Sequence, residues 1–134
     1  MKKVNYTQVI KAIDKLIKSV GYELEDVDFV CGISRGGLFP AMLVATKLNK
    51  PLVVAYIDKK DIVYFDRSEW IREKKVLLVD DIVRTGKTLF LIKNLLTDEG
   101  AKEIKTLTIY DLISSDVDPD YSLMTKVDIR FPWD

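Results

Sequence analysis

Two adjacent carboxylates, Asp80 and Asp81, close an aliphatic run, and a short loop of Arg84, Thr85 and Gly86 follows them before Lys87, Thr88 and a second apolar stretch. Backbone N–H groups at the start of a helix lack partners, and the helix dipole adds partial positive charge there. Gly86 lets the backbone come close to an anion, and Thr85 and Thr88 offer hydroxyl donors. Together these make a cradle for a phosphate monoester. Carboxylates repel phosphate, so Asp80 and Asp81 suit other partners: sugar hydroxyls, which donate to carboxylates, or a hydrated Mg²⁺. A ligand with a phosphate at one end and a ribose diol beside it satisfies both halves.

The Gly-Lys-Thr triplet at Gly86–Thr88 invites comparison with a Walker A loop, but that pattern needs glycine where Asp81 stands. Asp and Thr are also ordinary helix N-caps, so Thr85–Thr88 alone reads equally well as a capped turn. The full run "VLLVDDIVRTGKT" asks for more than a cap. A second loop, "GISRGG", also joins a strand to a helix. Arg35 offers a bidentate fork for phosphate oxygens, and Gly36 and Gly37 permit exposed amides. A single Arg-Gly-Gly in a neutral chain does not make an RNA-binding box.

Histidine is absent and Cys31 is the only cysteine. Ser-His-Asp and Cys-His nucleophile systems are thereby excluded, as is an internal disulfide, and the lone thiol fits a reducing cytoplasm. Lys plus Arg and Asp plus Glu each number 21, giving a formal net charge of zero. That balance supplies no field for nucleic acid or an anionic membrane. No apolar run reaches the roughly 18 residues of a membrane span, and the start lacks the pattern of a signal peptide.

The elements that must position these loops follow from periodicity. Tyr6, Val9, Ile10, Ile13, Leu16, Ile17 and Val20 mark an amphipathic helix with Gly21 as its expected C-cap. Val27–Ile33 reads as a buried strand, Leu38 to Leu48 as a helix and Pro51–Ile57 as a second strand. The polar stretch 58–75 contains an expected edge strand or hairpin arm, "DIVYF", and one or two helical turns in "RSEWIREKK". Val76–Asp80 is the most apolar strand. A helix ended by Gly100 follows, then a strand at Ile104–Tyr110, a turn around Pro119 and a last strand at Val127–Phe131. Continuously apolar strands alternating with helices predict a single α/β domain over residues 1–134 with a mostly parallel sheet. Ligands in such folds sit beyond the carboxyl ends of the strands, where both polar loops fall.

The residues Val76–Thr88 resemble the thirteen-residue phosphoribosyl diphosphate (PRPP) motif of the type I phosphoribosyltransferases. "CGISRGGLFPAMLVATKLNKP" is similar to that family's pyrophosphate loop and helix. "SRGGL" before Pro40, and the closing "PWD", resemble the xanthine-guanine and hypoxanthine (purine) branch. The resemblance implies a three-layer fold, a twisted, mostly parallel sheet with flanking helices and a small C-terminal hood. It implies a cytoplasmic, PRPP-dependent pentosyltransferase of nucleotide salvage that moves ribose 5-phosphate to a nucleobase, a 6-oxopurine, with Mg²⁺, and forms a homodimer or homotetramer.

Carried over by position, Asp80 and Asp81 hold the ribose hydroxyls, directly or through the metal, and share the catalytic work with Arg35. Arg84, Thr85, Gly86, Lys87 and Thr88 cradle the 5-phosphate. Ser34, Arg35 and Gly36 bind pyrophosphate, through a non-proline cis peptide in relatives. Tyr56, Lys59 and Lys60 fall in the family's flexible lid, where a solvated charge cluster is the plainer reading.

Two departures mark the acceptor side. Purine members carry Asp just before the Thr-Gly of the phosphate loop, where this chain has Arg84, and the base-reading Lys expected after Ile104–Tyr110 is missing. Asp111, Asp128, Phe131 and Trp133 are the remaining candidates for contact with the base. The acceptor is therefore open between a 6-oxopurine, a non-purine base, and none at all in a binding protein that senses PRPP or a nucleotide. Phe131 and Trp133 form an aromatic end that either serves contacts between copies or packs back on its own domain.

Overall fold

The computed structural model describes residues 1–134. Its elements are β1 (Lys2–Lys3), α1 (Tyr6–Val20), β2 (Phe29–Ser34), α2 (Leu38–Leu48), β3 (Leu52–Ile57), β4 (Val63–Phe65), β5 (Lys75–Val83), α3 (Lys87–Asp98), β6 (Glu103–Leu112), β7 (Tyr121–Thr125) and β8 (Ile129–Arg130). Six strands make one sheet in the order β4-β3-β2-β5-β6-β7, and β1 pairs separately with β8. All neighbours in the large sheet run parallel except β3 and β4.

Helix α1 starts at a capping box: the Gln8 amide donates to Asn5 Oδ1 and the Asn5 amide to Gln8 Oε1, both at 2.8 Å. Its buried face of Val9, Ala12, Ile13 and Leu16 joins Ala41, Val44 and Ala45 of α2 over one side of the sheet. Leu89, Ile92 and Leu96 of α3 cover the other side. Each buried Val, Leu or Ile among these contributes about 1.5–3 kcal/mol. The result is the three-layer α/β arrangement, with helices on both faces because both crossovers, β2–α2–β3 and β5–α3–β6, join parallel strands. No helix is long and apolar enough to cross a membrane.

Several expectations gain detail. Gly21 is the C-cap of α1, its N–H donating to Ile17 O, but in a right-handed conformation with φ −56°, and the chain tightens into a 3₁₀ turn over Gly21–Leu24 that buries Leu24. "DIVYF" supplies the antiparallel edge strand β4, and "RSEWIREKK" only one 3₁₀ turn, Ser68–Trp70. Strand β7 escapes a periodicity reading because "YSLMT" has no continuous apolar run. It adds parallel to β6 without a helix between them, with a shift in register between Leu107 and Tyr110. The last strand shrinks to Ile129–Arg130, held by β1 through Lys2 N–H to Asp128 O at 2.8 Å and Val4 N–H to Arg130 O at 3.0 Å.

Candidate active site

Strands β2 and β5 are parallel neighbours, with Gly32 opposite Val79. From β2 the chain crosses to β3 on one side, and from β5 to β6 on the other. The carboxyl ends of β2 and β5 are therefore the topological switch point, where the diverging connections leave a crevice. Both polar loops leave from it.

The second loop lines a cleft of about 300 Å³ running from Asp80 to Leu89. The amides of Arg84, Thr85, Gly86, Thr88 and Leu89 donate to no protein acceptor, while the Lys87 amide makes a long bond to Thr85 Oγ1 at 3.3 Å. Together with the positive end of α3, these free donors form an anion site. Gly86 is needed twice over: its φ is +89°, and a Cβ there would lie 3.0 Å from Val117 Cγ2.

The first loop presents Arg35, whose side chain is exposed, and the free amides of Arg35 and Gly36. The Ser34–Arg35 peptide is cis. The turn is closed by Gly37 N–H to Ile33 O at 2.7 Å and Leu38 N–H to Arg35 O at 3.1 Å. It sits hard against β5. A Cβ on Gly37 would come 2.6 Å from Val79 O, and one on Gly36 would come 2.8 Å from Asp81 Cγ.

Between the loops lie the two aspartates, and the facing of the strand changes just past them. Val76 and Leu78 face the α3 core and Leu77 and Val79 the α1–α2 core, yet Ile82 joins the second set and Val83 the first. Strict alternation would reverse that assignment, so the strand turns over past Asp81, while its register with β6 stays unbroken from Lys75 opposite Glu103 to Val83 opposite Asp111. Asp80 Oδ1 accepts from the Asp81 amide at 2.8 Å, no protein N–H donates to its Oδ2, and its carboxyl lies within hydrogen-bond reach of the Asp81 carboxyl. Burial, reinforced by the neighbouring charge of Asp81, holds the Asp80 carboxyl well above the usual carboxylate range. Asp81 is only 8% exposed. Its Oδ1 accepts from the Ile82 amide at 2.7 Å and its Oδ2 from Trp133 Nε1–H at 2.9 Å. Burial raises its pKa too, and the Trp133 bond works against that rise.

No three metal-ligating side chains cluster anywhere. A Mg²⁺ ion nevertheless suits this donor set, because it is commonly held by one or two carboxylates plus substrate oxygens and water. Asp80 Oδ2 is the carboxylate oxygen left open for it.

The acceptor-side candidates are scattered. Arg84 donates through Nε to Asp128 Oδ1 at 2.9 Å and through Nη2 to Ile129 O at 3.4 Å. Asp128 thus faces the loop but is already paired. Asp111 is 1% exposed and accepts from Ser115 Oγ at 2.7 Å, so it is closed to a ligand. Burial, with Asp118 nearby, raises its pKa. Of the two readings of the aromatic end, the structure shows the one in which it packs back on its own domain. Phe131 is 2% exposed, and Trp133 stacks on it at 4.8 Å and 5°. Phe39 and Tyr6 approach Trp133 at 5.7 and 6.3 Å. Tyr56, Lys59 and Lys60 are exposed at the β3–β4 hairpin, with Tyr56 opposite Ser34 in register. Sequence reasoning missed the bond from Trp133 to Asp81 and the seat of Val117 on Gly86. Both join residues too far apart in the chain to leave a local signal.

A family model described as the phosphoribosyl transferase domain matches residues 4–134. An orotate phosphoribosyltransferase from Sulfurisphaera tokodaii is 33% identical over 108 residues, covering 77% of this chain and 50% of that protein. Another, from Archaeoglobus fulgidus, is 25% identical over 103 residues, covering 74% and 58%. The chain thus spans about half the length of these curated relatives. A purine phosphoribosyltransferase of known structure from Pyrococcus horikoshii is 32% identical, with a TM-score of 0.80 over 99% of this chain and 94% of that one.

Proposed function

The chain belongs to the phosphoribosyl transferase family, and we propose that it transfers ribose 5-phosphate from PRPP to a nucleobase, a 6-oxopurine, with release of pyrophosphate. One observation carries the reading. Two sets of unpaired backbone donors, on the loops after β2 and β5, flank an unclaimed carboxylate oxygen at one switch point. PRPP has a matching order of groups: 5-phosphate, ribose diol, pyrophosphate.

In this reading the amides of Arg84 to Gly86 and the hydroxyls of Thr85 and Thr88 hold the 5-phosphate. Lys87, at the exposed start of α3, adds a positive charge. Asp80 Oδ2 accepts from the ribose diol. Ser34, the Arg35 guanidinium and the free amides of Arg35 and Gly36 take the pyrophosphate. The bond from ribose C1 to pyrophosphate oxygen breaks, a bond from C1 to a base nitrogen forms, and that nitrogen releases its proton. The transition state is oxocarbenium-like, with negative charge growing on the leaving group. Donors already aimed at that charge need no rearrangement as it develops, and anchoring both ends of PRPP aligns C1 for attack. Mg²⁺, held by Asp80 together with PRPP's own oxygens, would neutralise part of the pyrophosphate charge.

The end-to-end match to a purine enzyme supports a purine acceptor. Arg84 favours a second reading, a non-purine acceptor such as orotate. It stands where purine members carry Asp, and the longer curated relatives are orotate enzymes. Both readings place the reaction in the cytoplasm, in keeping with a single buried thiol. Both extend to a homodimer or homotetramer, which light scattering decides. The test of function is pyrophosphate release from Mg-PRPP across guanine, xanthine, hypoxanthine, adenine, uracil and orotate. Release with a 6-oxopurine alone is the expected result. Release with orotate alone selects the second reading. PRPP binding without release by any base would make the chain a PRPP sensor.

A further inference from the structure

We propose that Trp133 is a positioning residue for the PRPP site: its indole N–H holds the Asp81 carboxylate in place and so sets the geometry of the whole diol and phosphate loop. This rests on the PRPP reading of the site.

Asp81 is the less available of the two aspartates. Its oxygens accept from the Ile82 amide at 2.7 Å and from Trp133 Nε1–H at 2.9 Å. Its Cγ would come within 2.8 Å of any Cβ at position 36, so the pyrophosphate loop needs glycine there to close over the carboxylate. Asp81 therefore touches three parts at once: its own strand, the loop after β2 and the C-terminal turn. A buried carboxylate with that many neighbours is costly unless its oxygens are satisfied. The Ile82 amide satisfies one oxygen and Trp133 the other.

The indole cannot drift from this bond. It lies parallel on Phe131 at 4.8 Å, with Phe39 of α2 at 5.7 Å and Tyr6 of α1 at 6.3 Å. The turn that carries it is closed twice, by Phe131 N–H to Asp134 Oδ2 at 2.8 Å and Asp134 N–H to Phe131 O at 3.1 Å. Five residues earlier, Asp128 accepts from Arg84 at 2.9 Å. The segment from Asp128 to Trp133 thus clasps the PRPP loop at both ends, Asp81 on one side and Arg84 on the other. The Arg84 contact is half-exposed and weak, so the Trp133 contact is the one that locks the loop. Alternation along β5 puts Asp80 and Asp81 on opposite faces, Asp81 on the side of Leu77 and Val79, where Trp133 packs. With Asp81 fixed, Asp80 Oδ2 stays aimed at the diol.

The test uses Trp133→Phe, which keeps an aromatic ring on Phe131 and removes the donor. Phe39→Leu is the packing control, since it thins the same aromatic cluster and keeps the N–H. Calorimetry with Mg-PRPP and steady-state kinetics should show Trp133→Phe weakening PRPP about tenfold. The rise should lie in the KM for PRPP, with the KM for the base unchanged, while Phe39→Leu, which loosens the seat of the indole but keeps the donor, raises the same KM by less. A rise in the base KM alone would place Trp133 against the base and overturn the proposal. Unchanged PRPP affinity in Trp133→Phe would overturn it as well.

A ligand-free readout separates this from failure of the PRPP reading. In amide and indole NMR spectra, Trp133→Phe should shift the amides of Ile82 to Gly86, and Asp81→Ala should remove exchange protection from the Trp133 indole. Both effects in a protein that binds no PRPP would keep the clasp and discard the substrate. Neither effect would discard the clasp.

Discussion

The two halves of the cleft are built in opposite ways. The PRPP side is local: its donors come from two short loops on neighbouring strands, and its amides are left without partners. The acceptor side is non-local and closed on itself. Arg84 is paired with Asp128, Asp81 with Trp133, and Asp111 with Ser115. A rigid frame with unsatisfied donors is prepared to bind an anion, whereas a set of satisfied pairs is prepared to hold a shape. The difference teaches that the acidic and aromatic residues near the C-terminus act first on the frame, and that substrate contacts should be sought among the groups still free.

The strongest way to break this comparison is at Asp80. Asp80→Asn keeps the bond from the Asp81 amide and removes the charge that faces the diol. We expect kcat/KM for PRPP to fall about 10²–10³-fold, the range seen when a preorganised electrostatic contact is lost, while the melting temperature rises. Activity and stability should move in opposite directions because the wild-type carboxylate is held at a cost. A variant that lost both together would show Asp80 to be structural. Next in size is Gly86→Ala. A side chain at φ +89° with Val117 Cγ2 only 3.0 Å away must displace either the loop or the 113–118 segment. We expect PRPP affinity to drop about tenfold or more and the melting temperature to fall by several degrees, as read by calorimetry and thermal denaturation.

How much of this was legible beforehand follows the same division. Phe29–Ile33 and Val76–Val79 are continuous apolar runs and Ile104–Tyr110 is rich in β-branched residues, so the parallel sheet and the places of both loops could be read directly. The cradle at Thr85–Thr88 was legible for the same reason, since its chemistry depends on neighbours in sequence. Strand β7 was not, because "YSLMT" is placed by its pairing with β6 rather than by its own pattern. The roles of Asp81 and Trp133 were not either. Nothing local distinguishes a carboxylate that faces a ligand from one that faces an indole 52 residues away.

A smaller effect sharpens the contrast through pH. The folded state holds Asp80 above the usual carboxylate range, with burial the main cause and Asp81 the second. Between the unfolded and folded values the native protein binds more protons than the unfolded chain, so stability falls as pH rises through that window. Above the window the full penalty stands. Asp80→Asn removes it, so the gain in melting temperature should grow as pH rises above the ordinary carboxylate range and shrink toward about pH 4. Thermal melts of the two proteins across this range measure it. A gain independent of pH would mean that the substitution acts through packing. Asp81 and Asp111 are raised by burial in the same direction, which is why the difference between variants is the informative quantity rather than the wild-type slope.

The smallest expected effect is also the one that tests whether the two halves are separable. Asp128→Asn cuts an ion pair whose side chains are 48% and 37% exposed, a class worth about 0.2–1 kcal/mol. Arg84 keeps its contact to Ile129 O at 3.4 Å, and its backbone amide, the part that belongs to the cradle, is untouched. PRPP affinity should therefore change by less than about threefold. The freed guanidinium would stand at the mouth of the acceptor side with an unmet charge. An acceptor with a carboxylate or an exposed ring oxygen should gain on it, so the ratio of kcat/KM between orotate and a neutral purine should move toward orotate, measured by competition in one reaction. If the ratio moves and PRPP affinity holds, acceptor choice lies in the pairs that Arg84 makes, and the frame is indifferent to it. If PRPP affinity instead falls tenfold, Asp128 and Trp133 act as one clasp, and the acceptor side cannot be altered without loosening the frame that holds the ribose.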